Sequence, residues 1–222
     1  MSSAPAPAAA PLWWTWFASV TVAEVVGFCV PLAVGALTAD AGPADAGPAV
    51  AVPALLAAGA VEGAVLGAGQ AVVLSRVLPR LRARDWVLAT AAAAVLCYAL
   101  GLLPSVAAGT WASWPPALLV VVTVALGAAL FATMGTAQWW VLRHHVARAA
   151  LWIPVTAVAW LVGLGAFLGL AMPWWNPGQP TTEVLAIGLV AAVVMAATVA
   201  AITGWAVVRL LARRPVEVSA PR

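Results

Sequence analysis

Charge is scarce in this chain. Asp, Glu, Lys and Arg make up 8% of its 222 residues, where a soluble domain carries about 25%. Lysine is missing altogether, and all 10 basic residues are arginine. With 65% of residues hydrophobic and a mean hydropathy of +1.05, the composition belongs to a protein whose solvent is lipid. The sequence pI near 9.7 does not point to nucleic acid, because the arginines sit in short loops between apolar runs, where membrane topology accounts for them. Cysteine is nearly absent too. Cys29 and Cys97 lie inside apolar runs, where Cys acts as a small packing residue, and no CxxC or Cys/His spacing suggests a metal. HExxH, GxSxG, Walker and GxGxxG signatures are all lacking, so the sequence leans away from an enzyme and calls for no cofactor. No basic residue precedes the first apolar run, which is also too long for a signal-peptide core; it reads as a retained helix.

What the chain has is length without interruption. Six apolar runs, near 12–38, 50–77, 86–108, 116–143, 150–172 and 184–212, each exceed the roughly 20 helical residues that cross about 30 Å of hydrocarbon. They do not alternate as strands of a barrel would. The expectation is one all-α membrane domain of six transmembrane helices, with short disordered ends at 1–11 and 215–222. Pro115 and Pro116 suit the first turn of the fourth helix and Pro154 that of the fifth, while Pro31 lies inside the first and should kink it.

The arginines orient this bundle. Arg76, Arg80, Arg82 and Arg84 fall between helices 2 and 3, Arg143 and Arg148 between 4 and 5, and Arg209, Arg213, Arg214 and Arg222 at or beyond the end of helix 6. The other three connections contain no basic residue, and two of their acids, Asp40 and Asp45, read as solvated turn residues. The positive-inside rule therefore predicts cytoplasmic termini and a bacterial inner (plasma) membrane location; arginine-only usage and abundant alanine fit a GC-rich genome. Trp111, Trp114, Trp174 and Trp175 are read as anchors at the outer interface, and Trp13, Trp14, Trp16, Trp86, Trp139, Trp140 and Trp152 as anchors at the inner one.

A pattern recurs along the chain. Gly67–Trp86 (GAGQAVVLSRVLPRLRARDW) is echoed at Gly135–Trp152 (GTAQWWVLRHHVARAALW) and more faintly at Ala201–Arg209 (AITGWAVVR). Gln70 pairs with Gln138 and Gly204, Arg143 with Arg209, and Trp16, Trp86 and Trp152 lead at one spacing to Gly27, Cys97 and Gly163. The chain thus reads as three helical hairpins, 12–77, 82–146 and 149–214. Mitochondrial-type carriers also use three hairpins, but their P-x-(D/E)-x-x-(K/R) signature is absent. The elements GTAQWWVLRHH, the following W-x-x-x-T and AITGWAVVRLLARRP resemble those of uncharacterised bacterial multi-pass membrane proteins with repeated Gln-Trp-x-x-Leu-Arg and Trp-x-x-x-(Thr/Ser) elements. The resemblance covers most of 12–212, departs at Ala71 and Gly204, and implies no activity.

Small residues mark the packing faces. Gly59, Gly63 and Gly67 step by i+4 on helix 2; Val20, Glu24, Gly27 and Pro31, then Thr90, Ala94, Cys97 and Gly101, follow one stripe on helices 1 and 3. Gly135 and Gly163 complete the candidate packing glycines. On helix 5 the corresponding stripe is Thr156, Trp160, Gly163 and Phe167, where two bulky aromatics weaken the argument. Thr21, Gln70, Thr90, Gln138 and Thr156 are candidates for hydrogen bonding between helices.

Two carboxyl groups fall at mid-membrane, Glu24 on helix 1 and Glu62 on helix 2. An ionised side chain there costs about 2.5–3.5 kcal/mol on insertion scales, and two adjacent carboxylates resist double ionisation. They are the candidate proton or cation relay. The structural alternative is that each acid hydrogen-bonds across a helix interface, to Thr21, Gln70 or a backbone carbonyl. Their repeat equivalents (Ala94 and Trp160; Leu130 and Ala196) are apolar, so the acids belong to the first hairpin alone. His144 and His145 point in different directions from one helix and make a poor metal pair; with Arg143 and Arg148 they suit anionic lipid headgroups. Asn176 and Gln179 are read as turn-forming. Two classes of function follow: a small-solute or proton/cation-coupled transporter using Glu24 and Glu62, or a non-transporting scaffold or accessory subunit that binds a partner through Gly and Trp faces. The sequence names no protein partner and no oligomeric state.

Overall fold

The computed structural model describes residues 9–40 and 47–212. Asp45, Arg213, Arg214, Arg222 and the segments 1–8 and 213–222 lie outside the described residues. Six long helices form: α1 (Ala9–Asp40), α2 (Pro48–Val77), α3 (Ala83–Val106), α4 (Pro116–Leu142), α5 (Trp152–Ala171) and α6 (Thr181–Ala212). Each boundary lies within three residues of the sequence expectation. All six are long and apolar enough to cross a membrane, and no strand occurs among the described residues. Pro48 and Pro116 open their helices, where a missing N–H costs nothing. α1 runs unbroken through Pro31.

Each helix packs on its neighbours in the chain, and α6 returns to pack on α1, closing a ring of six. Up-and-down connections bring the Arg-bearing loops to one end of this ring. Arg76, Arg80, Arg82, Arg84, Arg143, Arg148 and Arg209 are all exposed there.

The two ends of the ring are packed differently. At the Arg-bearing end Leu12, Trp16, Leu74, Leu78, Trp86, Leu142, Val146, Trp152, Val207 and Leu210 form one buried cluster drawn from every helix. Lipid tails are as apolar as leucine, so helices associate in a bilayer by close van der Waals contact and hydrogen bonds rather than by escape from water. Glycine supplies the close contact. A Cβ on Gly67 would lie 3.0 Å from Thr90 Cβ and Val87 Cα, and one on Gly135 would lie 2.9 Å from Ile153 Cα and 3.2 Å from Thr156 Cβ. Gly63 abuts Ala94 and the α3 backbone, Gly59 lies under the Tyr98 ring, and Gly163 receives Val199 and Met195 of α6. The Gly59/Gly63/Gly67 stripe is thus the seat of α3. On α5 Thr156, Gly163 and Phe167 are buried along one stripe, while Trp160 between them is half-buried.

Away from the Arg-bearing end this contact fades. The buried residues of α3 stop at Ala94, and those of α4 begin only at Met134. A Cβ on Gly127, Gly165 or Gly169 would meet nothing within 4 Å. α4 is therefore gripped at its Arg-bearing end and loosely packed beyond it, while α3 stays on α2 through Tyr98 and Gly59.

This division predicts opposite outcomes for the same substitution. Gly135→Ala should lower the unfolding free energy in detergent by about 1–3 kcal/mol, because backbone atoms of α5 must move. Gly127→Ala should be neutral or stabilise by up to about 1 kcal/mol through its gain in helix propensity. Equal effects at both positions would overturn the account.

Candidate functional site

Two polar layers cross the ring. The first lies within the packed end. Trp16, Trp86 and Trp152 are 0–1% exposed, so they are not anchors at the membrane interface, as the sequence suggested; they turn inward because each indole N–H finds a buried acceptor. Trp86 Nε1 donates to Gln70 Oε1 (2.9 Å), Trp152 Nε1 to Gln138 Oε1 (2.9 Å) and Trp16 Nε1 to Thr203 Oγ1 (3.0 Å). Gln138 Nε2 donates both to Gln70 Oε1 (2.8 Å) and to Thr90 Oγ1 (3.1 Å). Thr90 in turn donates to the Trp86 carbonyl (2.9 Å) and Thr203 to that of Val199 (2.7 Å). The Trp152 ring meets Trp16 at 6.0 Å and Trp86 at 6.3 Å between centroids, edge to face, the arrangement that aromatic quadrupoles favour. Where the repeat alignment has Gly204 in place of glutamine, an added Cβ would come within 2.9 Å of Trp16 Cδ1. Glycine makes room for the indole, and Thr203, missed in the sequence, accepts its hydrogen bond.

The second layer holds the acids. Trp16 to Glu24, Gln70 back to Glu62 and Thr90 to Tyr98 are each eight residues, so it lies about 12 Å along the helices from the first. Glu24 and Glu62 are 1% and 8% exposed, and their side chains meet across the α1–α2 contact. Two glycines make this possible. At Gly27 a Cβ would sit 3.1–3.3 Å from the backbone and Cγ of Glu62, so α1 can lie directly against α2 there. At Gly59 the missing side chain lets the Tyr98 ring rest on α2, from where Tyr98 Oη donates to Glu62 Oε2 (2.6 Å). Glu24 is different. No hydroxyl or N–H donor among the described residues reaches either of its oxygens. Thr21, offered by the sequence as its partner, is itself without one at Oγ1, as is Thr156, and Gln70 belongs to the tryptophan layer.

Glu62 and Tyr98 also face a cavity of about 370 Å³ at the centre of the ring, to which all six helices contribute. Phe28, Phe131 and Trp160 line it with Leu130 and Met195, and no basic residue does. A second cavity of about 430 Å³ lies towards the Arg-free end and shares Phe28 and Tyr98 as walls. On the Arg-bearing side the space below the tryptophans shrinks to about 10 Å³. The centre is therefore closed at one end and roomy towards the other.

The remaining expectations fall at the surface. Trp14, Trp140 and Trp174 are exposed, with the Arg143 guanidinium 3.5 Å from the Trp140 ring and 5.4 Å from that of Trp139, and Arg209 lies over Trp205. Gln179 and Asn176 do shape the α5–α6 turn, through Asn176 N to Gln179 Oε1 (2.8 Å) and Gln179 Nε2 to the Trp174 carbonyl (2.9 Å). His144 is exposed and accepts from Arg143 Nε (3.1 Å). No group of three or more His, Cys, Asp and Glu able to hold a metal occurs among the described residues.

The tryptophan layer should be cooperative. Gln138→Leu removes three hydrogen bonds and should cost about 2 kcal/mol at bilayer strengths. A double-mutant cycle with Gln70→Leu should show about 0.5–1.5 kcal/mol of coupling; additivity would mean the two amides act independently.

No family model, curated protein or solved structure matches the chain.

Proposed function

We propose that the chain is a small multi-pass permease of the inner (plasma) membrane, with cytoplasmic termini, in which the Glu24–Glu62 pair carries a proton or another cation. One observation carries this reading. A carboxyl group with no donor of its own is buried against a second one, and that second one faces a cavity. Two carboxyl groups in contact hold a proton or a cation between them, and an acid at this depth is a costly item whose position beside a cavity suits an ion path. The end bearing the arginines faces the cytoplasm under the positive-inside rule, so the closed end is the inner one and the roomier end the outer. The exposed tryptophans and Arg143 then sit at the headgroups, where Arg143, Arg148 and His144 suit anionic lipid. The hairpin repeat is part of the same proposal. Its support is a recurring contact: Gly67 packs on Val87 and Thr90 as Gly135 packs on Ile153 and Thr156.

A scaffold or accessory subunit is the second reading. It is favoured by a shallow outer groove between α3 and α4, lined by Ala92, Ala93, Ala129, Ala132 and Thr136, where another helix can approach closely. That reading leaves the acid pair and the central cavity without a task.

Water access separates the two. In a protein carrying Cys29→Ala, Cys97→Ala and Leu130→Cys, a charged, impermeant thiol reagent should modify the cavity wall from the Arg-free side and not from the Arg-bearing side. Absence of modification from either side, in protein that still folds, would sink the permease reading and leave the scaffold.

A further inference from the structure

Resting on that reading, we infer that the central cavity takes a lipophilic organic monocation, a tertiary or quaternary ammonium group on an apolar body, with its charge on Glu62, the acid that lines the cavity. The lining selects this class by exclusion as well as by fit. An anion finds no Arg, Lys or His on the wall and meets an acid, Glu62. A sugar or other polyhydroxylated solute finds too few partners, since Glu62 and the Tyr98 hydroxyl stand among leucines, methionines, alanines and aromatic rings. A bare divalent cation needs six or more oxygen ligands at fixed distances, and the layer offers two carboxyl groups and one phenol.

A lipophilic cation matches each part. Its apolar body replaces lipid or water against Leu130, Met134 and Met195. Its charge is too diffuse to need a full coordination shell and is satisfied by one carboxylate together with aromatic faces, which attract ammonium groups within about 6 Å of the ring centroid. Phe28, Phe131, Trp160 and Tyr98 supply those faces from four different helices. The volume of about 370 Å³ falls in the range of small-molecule sites, roughly 300–1,000 Å³. Glu24 completes the device. It is buried against Glu62 with no hydroxyl or N–H donor among the described residues, and a proton held between the two carboxyl groups leaves one negative charge for the ligand.

The test uses the full-length protein in lipid nanodiscs with radiolabelled phenyltrimethylammonium as probe. Saturable binding is expected, displaced by the unlabelled cation and unaffected by benzenesulfonate. Glu62→Gln should weaken it about tenfold or more, and Phe131→Leu about fivefold, the loss of one cation–π contact of about 1 kcal/mol. Leu130→Trp keeps both acids but fills the cavity, and should abolish binding in protein that elutes and unfolds as wild type does, which guards against misfolding of the Glu62 variant. Binding unchanged in Glu62→Gln, equal competition by benzenesulfonate, or no saturable binding would overturn the inference. Such a result together with thiol access to the cavity rejects the ligand class alone; without thiol access the permease reading falls as well.

Discussion

An indole N–H in hydrocarbon must find an acceptor, and most of this structure follows from how three of them do. Each unsatisfied polar group in a bilayer costs several kilocalories per mole, so Trp16, Trp86 and Trp152 cannot simply fill space. Their acceptors lie on the even-numbered helices α6, α2 and α4. The three bonds tie the helices in pairs, and the pairs are joined by the Gln138 bonds to Gln70 and Thr90 and by the edge contacts of Trp152 with Trp16 and Trp86. Gln138 is central because it uses both its donors and its acceptor: Trp152 on one side, Gln70 and Thr90 on the other. Glycines then decide how closely the helices flanking these bonds approach.

The same arrangement explains why there is a cavity where the acids are. On α3 and α4 close packing is confined to the level of the tryptophans and the turns beside it, since the buried residues of α3 end at Ala94 and those of α4 begin at Met134, whereas α5 and α6 stay packed beyond it through Ala159, Phe167, Ala171, Ala191 and Ala192. Above that level α4 is tied by a weak bond from Cys97 Sγ to the Leu130 carbonyl (3.6 Å), and no glutamine draws that helix inward. Space opens between α4 and the other helices, and the α1–α2 contact becomes one wall of it. Gly27 and Gly59 make that wall thin enough for Glu24, Glu62 and Tyr98 to meet.

Much of this was legible in the sequence, and the failures have a common cause. The six helices and their boundaries follow from hydropathy, because a bilayer allows few alternatives to a helix. The glycine stripe of α2 and the amides of Gln70 and Gln138 were legible as contacts. The tryptophans were misread: hydropathy statistics place Trp at interfaces, and nothing in a single sequence says that an acceptor waits 14 or 16 residues away on the preceding helix, or 187 away on α6. The spacing of Trp86 behind Gln70, and of Trp152 behind Gln138, was the available signal. Thr203 was missed because the alignment pointed to Gly204, one residue on. Glu24 and Glu62 were legible as costly, but their meeting depends on Gly27, whose role appears only when α1 is laid on α2. Tyr98, the single tyrosine, went unnoticed for the same reason.

The acids also gain meaning from the positions that are not acidic. The alignment pairs Glu24 with Ala94 and Trp160, and Glu62 with Leu130 and Ala196. Ala94, Trp160 and Leu130 all line the central cavity. The ring therefore presents comparable positions to its centre from several helices, and only those of α1 and α2 carry charge. A centre with acids on every side would hold a hydrated or multivalent ion, and one with none would hold an acyl chain. One acidic wall facing aromatic and aliphatic ones makes the site polar on one side only. A molecule of the class proposed above would be two-faced, with its charged end turned towards Glu62 on α2.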